Sequence, residues 1–103
     1  MRKKTNPQLT RAKRILRKDL PTIRARYKVK SLGLFGSFIR GEQRKRSDLD
    51  ILVEFDDPNL SLIKFIEMEN HLTDLLGVKV DLVEKTRLKP RIGERILQEV
   101  VLL

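Results

Sequence analysis

Asp48 and Asp50, with Leu49 between them, open a run to Phe55 in which polar and apolar residues alternate. Alternation of period two is the pattern of a strand, whose side chains at i and i+2 share a face. One face then carries Asp48, Asp50, Leu52 and Glu54, and the other carries Leu49, Ile51, Val53 and Phe55. The apolar face should pack on helices, leaving both aspartates on the wetter side. Two carboxylates on Cα atoms ~6–7 Å apart can bring their oxygens close. At ~5 Å and an effective dielectric of ~20 they repel by about 3 kcal/mol. A divalent cation turns that repulsion into a binding site. Oxygen-only ligands, in a chain with no cysteine and one histidine, favour Mg²⁺ or Mn²⁺.

A later run repeats the pattern. Val78, Val80 and Leu82 form one face, and Lys79, Asp81 and Val83 the other. Asp81 becomes a third carboxylate if the two strands are neighbours with their polar faces aligned. Three carboxylates on one sheet face suit a two-metal phosphoryl-transfer site, where one ion activates the attacking oxygen and the other steadies the leaving group. Gly36-Ser37 supplies the complementary half. Glycine permits close backbone approach at a strand end. A helix starting there offers unpaired N–H groups to phosphate oxygens, and the Ser37 hydroxyl adds a hydrogen bond. Arg40 either touches a triphosphate or pairs with Glu42. Arg44, Lys45 and Arg46 read as a solvated loop, and His71 as an exposed helix residue.

These residues need elements to hold them. Leu9, Ala12, Leu16, Leu20, Ile23 and Tyr27 recur at helical spacing, with Pro21 predicting a kink or two helices end to end. Val29–Phe35 reads as a strand, Ser37–Arg40 as a short helix, Gly41–Ser47 as a loop and Asp48–Phe55 as a strand. Asp56-Asp57-Pro58-Asn59 is a turn signal. A wide apolar face with Leu62, Ile63, Phe65, Ile66, Leu72, Leu75 and Leu76 predicts a helix over Ser61–Leu76, stopped by Gly77. Val78–Val83 is a third strand. A last helix from Pro90 or Arg91 to Val101 places Ile92, Ile96, Leu97 and Val100 on one face. The order gives an α/β (α+β) layer structure.

A chain of 103 residues suits one domain. Without cysteine there is no disulfide framework, thiolate zinc site or cysteine nucleophile. No apolar run approaches the ~18–20 residues of a membrane span, and no signal-peptide pattern is present, so a cytoplasmic protein is expected. The net charge of +9 is uneven: residues 1–30 carry +11 and residues 31–103 carry −2. Such asymmetry marks a basic segment on a domain with other business.

The segments Leu34-Phe35-Gly36-Ser37-Phe38-Ile39-Arg40-Gly41-Glu42 and Ser47-Asp48-Leu49-Asp50-Ile51-Leu52-Val53 together resemble the signature of the DNA polymerase β-type nucleotidyltransferase superfamily. The pattern is Gly-Ser, ten residues (Phe38 to Ser47), then Asp-x-Asp. The chain is similar in particular to the minimal nucleotidyltransferases of prokaryotes, through Gly33 to Ser37, Arg40-Gly41-Glu42, Val80-Asp81-Leu82-Val83, Leu88-Lys89-Pro90 and Ile96-Leu97. The resemblance implies a nucleotidyltransferase fold, a small mixed β-sheet with helices packed on one face. Residues 1–103 would form a single domain, with a basic helical segment at 1–28 and a catalytic core at 29–103. Asp48, Asp50 and Asp81 would ligate Mg²⁺, or Mn²⁺, and Asp81 would help deprotonate the acceptor hydroxyl. Gly36 and Ser37 would hold the nucleotide phosphates of ATP, with Arg40 as a further nucleotide contact. Members of this group are typically antitoxins encoded beside a HEPN-domain ribonuclease toxin. They neutralise it by binding and by transferring AMP from ATP onto a toxin tyrosine, so a hetero-oligomer is expected.

Chain length points the same way. Once the core is placed, little remains to hold an acceptor, so another protein should bring the hydroxyl that attacks the α-phosphate and releases pyrophosphate. Two other readings compete. A non-catalytic antitoxin would block its partner by contact alone. A basic nucleic-acid-binding protein would use the N-terminal segment, whose only aromatic, Tyr27, lies on the apolar stripe and offers no base-stacking platform.

Overall fold

A computed structural model describes residues 6–44, 47–57 and 59–103. Lys45, Arg46 and Pro58, parts of the expected basic loop and turn, lie outside the described residues. Helix α1, Pro7–Tyr27, starts on Asn6, whose side chain accepts from the Leu9 amide, and closes on Lys28 in the left-handed region. It is one helix rather than two. Pro21 sits at an exposed position, where the carbonyl freed four residues earlier can turn to water, so the chain continues through it. Strand β1, Val29–Phe35, and the short helix α2, Ser37–Arg40, follow with Gly36 between them. Strand β2 is Leu49–Phe55. Helix α3, Leu62–Leu76, is capped by the Ser61 hydroxyl, which accepts from the Lys64 amide, and ends on Gly77 at φ 70°. Strand β3, Val80–Glu84, leads through a single 3₁₀ turn, Lys85–Arg87, to helix α4, Pro90–Glu99, and strand β4, Val101–Leu102.

The sheet order is β3-β2-β1-β4. β1 runs antiparallel to β2 and to β4, whereas β2 and β3 are parallel. This is the mixed sheet that the family resemblance implies. Its core face brings Leu32 and Leu34, then Leu49, Ile51 and Val53, then Val80 and Leu82 against Leu16, Ile23 and Tyr27 of α1 and Met68, Leu72 and Leu76 of α3. The apolar stripe of the basic segment is therefore part of the core. Tyr27 is 1% exposed, and burial pushes its phenol above the ordinary range.

Three expectations need correction. Leu62, Ile63 and Ile66 do not enter the core; they are 71%, 71% and 47% exposed. The residues that face the sheet follow the stripe 65-68-72-76, and the other three lie a quarter to a half turn away from it. His71 is half-buried rather than exposed, with Nε2 3.1 Å from Asp19 Oδ2 and its ring 6.0 Å from that of Tyr27. The last helix stops at Glu99, and its Ile92 and Leu97 are 55% and 48% exposed. Val101–Leu102 pairs instead with Gly33 and Leu34, a strand too short to announce itself by alternation.

Candidate active site

Strand pairing decides the site. Phe35 at the end of β1 is registered with Asp50 of β2, and Asp50 with Asp81 of β3. The two aspartates are thus lateral neighbours on the face opposite the core, which meets the condition under which Asp81 joins Asp48 and Asp50. That face is not uniformly wet: Leu52 is 4% exposed and Phe35 8%. Beside them, Gly33 leaves room for the C-terminal segment. A Cβ on Gly33 would come 2.6 Å from Val100 Cγ2.

Immediately after Phe35 the chain turns sharply. Gly36 has φ 81° and ψ −155°, a conformation that side chains disfavour. A Cβ there would also lie 2.0 Å from Asp50 Oδ2. Glycine is required twice over, by the backbone and by the carboxylate packed against it. The Gly36 carbonyl accepts from the amides of Ile39 and Arg40 at 3.1 and 3.2 Å, and Ser37 opens α2.

The carboxylates feel one another. Asp50 is pushed up to about 6, chiefly by burial, then by the charges of Asp81 and Asp48, with Arg40 opposing and Glu99 adding to the rise. Asp48 is 39% exposed with Lys79 Nζ 3.9 Å from its Oδ2, and Asp81 is exposed. Repulsion of this sign is what a bound cation relieves. The donors are all oxygens, as hard divalent cations prefer. Among the described residues no three Asp, Glu, His or Cys side chains already converge as a closed metal cluster. The chemistry of the donor set fits such an ion, and the ligands would draw together around it.

Arg40 does more than pair with Glu42. Its Nε meets Glu42, and its Nη1 lies 2.7 Å from Glu99 Oε1, which ties α2 to α4. Hydrogen bonding to Glu42 raises the already high guanidinium value. A cleft of about 240 Å³ lies between these helices, lined by Phe35, Gly36, Arg40, Asp50, Ile92, Arg95, Ile96 and Glu99. Arg95 and Glu99 escaped the sequence reading. Their one signal is the i,i+4 spacing of Arg91, Arg95 and Glu99 on α4, which says nothing of where α4 packs. Among the described residues Arg95 makes no ion pair, so it brings an uncommitted positive charge to the cleft.

Known proteins share this fold. A family model described as nucleotidyltransferase domain matches residues 13–103. Protein adenylyltransferase MntA of Thermococcus cleftensis is 51% identical over 79 residues, covering 77% of this chain and 79% of that protein. A Methanocaldococcus jannaschii protein provisionally named protein adenylyltransferase MJ1217 is 45% identical over 94 residues, covering 90% and 95%. Among solved structures, one provisionally described as a minimal nucleotidyltransferase superposes with a TM-score of 0.75 at 38% identity, covering 87% of this chain and 91% of the other. A toxin-antitoxin crystal structure with AMP-PNP superposes with a TM-score of 0.66 at 27% identity, covering 90% and 69%. No described helix is long and apolar enough to cross a membrane.

Proposed function

The chain belongs to the nucleotidyltransferase domain family, and from that premise we propose that it transfers AMP from ATP to a hydroxyl, a tyrosine's, on a HEPN-type toxin that it neutralises as the antitoxin. The observation that carries the reading is the continuous register Phe35–Asp50–Asp81, which sets the Gly36 turn beside Asp50 and Asp81 next to it. The adenylyltransferase names of the relatives support the reaction, and the AMP-PNP complex of a similar structure supports the nucleotide and a protein partner.

Each residue has a place in this reading. Gly36 and Ser37 hold the nucleotide phosphates at the turn into α2, and Arg95 adds positive charge from α4. Arg40, held between Glu42 and Glu99, fixes the wall of the cleft and contacts the nucleotide from there. Mg²⁺, or Mn²⁺, held by Asp48, Asp50 and Asp81 would neutralise phosphate charge and favour ionisation of the acceptor. Asp81 lies on the outer strand of the sheet, where an acceptor carried by another protein can reach it. It takes the hydroxyl proton as the acceptor oxygen bonds to the α-phosphorus. The bond from that phosphorus to the bridging oxygen breaks, and pyrophosphate leaves. Residues 1–103 act as one unit, with the basic helix as its flank. Beside β3, a cleft of about 290 Å³ lined by Phe55, Phe65, Leu82 and the exposed Leu62 is an apolar surface of the kind a partner covers.

The test is transfer of label from α-labelled ATP to a co-purified HEPN-type partner in the presence of Mg²⁺. Labelling should vanish with Asp48→Asn or Asp50→Asn. Transfer that survives both substitutions overturns the site assignment. Full neutralisation by the double variant without nucleotide would show that contact alone suffices.

A further inference from the structure

Helix α1 carries seven Lys/Arg residues, Arg11, Lys13, Arg14, Arg17, Lys18, Arg24 and Arg26, against one acid, Asp19. That acid is engaged by His71. Among the described residues none of the seven cations makes an ion pair, whereas Lys28 and Lys30, just beyond the helix, pair with Asp57 and Glu54. Two of the seven are otherwise occupied. Arg11 Nη1 donates to the Leu76 carbonyl at 2.8 Å, and the Arg26 guanidinium lies 5.3 Å from the centre of the Tyr27 ring. Of the other five, Arg14, Arg17, Lys18 and Arg24 are exposed and lie on the side of α1 away from the buried stripe Ala12, Leu16, Ile23 and Tyr27, while Lys13 is half-buried at the edge of that stripe.

We propose that this outward face of α1 binds the phosphate backbone of a polynucleotide without regard to sequence. Charge complementarity is the first argument: four exposed, uncompensated cations over about 15 Å of helix axis come close to the charge density of a nucleic-acid strand. Composition separates this occupant from the alternatives. A protein interface draws much of its energy from large apolar and aromatic residues at its centre, and this face offers only Pro21 and Ala25. A membrane-surface helix turns its apolar side outward, whereas that of α1 is consumed by the core. Single-strand stacking would call for aromatic side chains that this face lacks, and cations spread along one exposed helix face reach phosphates without entering a groove, so the contact is with backbone. The inference stands apart from the transfer chemistry, because none of these residues lines the cleft at Asp50.

The experiment uses the full chain and a short fluorescein-labelled duplex, in RNA and DNA versions of scrambled sequence, with affinity read by anisotropy across a salt series. Four backbone contacts predict a log–log salt slope of about −3.6, a roughly 150-fold loss of affinity between 50 and 200 mM salt. Arg17→Gln with Arg24→Gln should flatten the slope by about two, and Arg17→Lys with Arg24→Lys should restore most of it. Glutamine suits an exposed helix, and a melt of each variant confirms folding. RNA and DNA binding alike support backbone recognition. Absence of binding at low salt, an affinity unmoved by the glutamine pair, or displacement by polyglutamate as effective per charge as by unlabelled duplex would each overturn the proposal.

Discussion

The Asp50 carboxylate occupies the space that any side chain at Gly36 would need: an ideal Cβ on Gly36 falls 2.0 Å from Asp50 Oδ2. The turn after β1 and the aspartate in the middle of the site are one packed unit, although thirteen intervening residues separate them in the chain. Gly36→Ala should therefore fail twice, through φ 81° and through the clash. We expect a stability loss of about 1–3 kcal/mol and near-complete loss of transfer. Because the two causes differ, the cost should fall, without vanishing, in an Asp50→Ala background. A double-mutant cycle of denaturant melts measures that coupling.

Asp50 also sets a pH dependence. Its folded-state value of about 6 lies above the ordinary 3.8, so the folded chain holds this proton more tightly than the unfolded chain does. Ionised Asp50 thus opposes folding at neutral pH, and the penalty lifts as pH falls from about 6 towards 4. In metal-free protein Asp50→Asn should raise the melting temperature at pH 7.5, with the gain fading towards about pH 4. Added Mg²⁺ should raise the wild-type melting temperature at pH 7.5 and move that of Asp50→Asn much less.

Arg95 and Arg40 line the same cleft with different attachments. Arg95→Ala should raise the KM for ATP about 10–100-fold, the range for one charge-assisted contact, with a smaller effect on kcat and little on stability. Arg40→Ala should also weaken nucleotide use, but it additionally frees α4 from α2. Hydrogen exchange in Pro90–Glu99 should accelerate in that variant and not in Arg95→Ala. As an exposed ion pair, Arg40–Glu99 should leave global stability nearly unchanged.

The basic helix is a structural member of the core. Leu16 is fully buried against the sheet, so Leu16→Ala should cost about 2–5 kcal/mol. An equilibrium denaturant melt checks it. A loss near zero would mean that α1 is a detachable arm.

Much of this protein is written locally. Alternation from Asp48 to Phe55 places Asp48 and Asp50 on the face opposite Ile51 and Val53, because side chains of a strand must alternate. The helical stripe from Leu9 to Tyr27, the Gly77 stop and the Gly-Ser turn into α2 are likewise consequences of backbone sterics and burial within short segments. Other features depend on which elements become neighbours. Nothing near Asp81 in the chain says that β3 lies parallel to β2 in the register that seats it beside Asp50. Nothing near Arg95 or Glu99 says that α4 closes over Gly36. The apolar residues of α3 are more numerous than the sheet can cover, so periodicity could not tell Met68, which is buried, from Ile63, which is not. Spacing along the chain determined which residue types stand together on a face. Tertiary packing decided which faces meet, because pairing and burial across distant segments are settled by competition for one limited core.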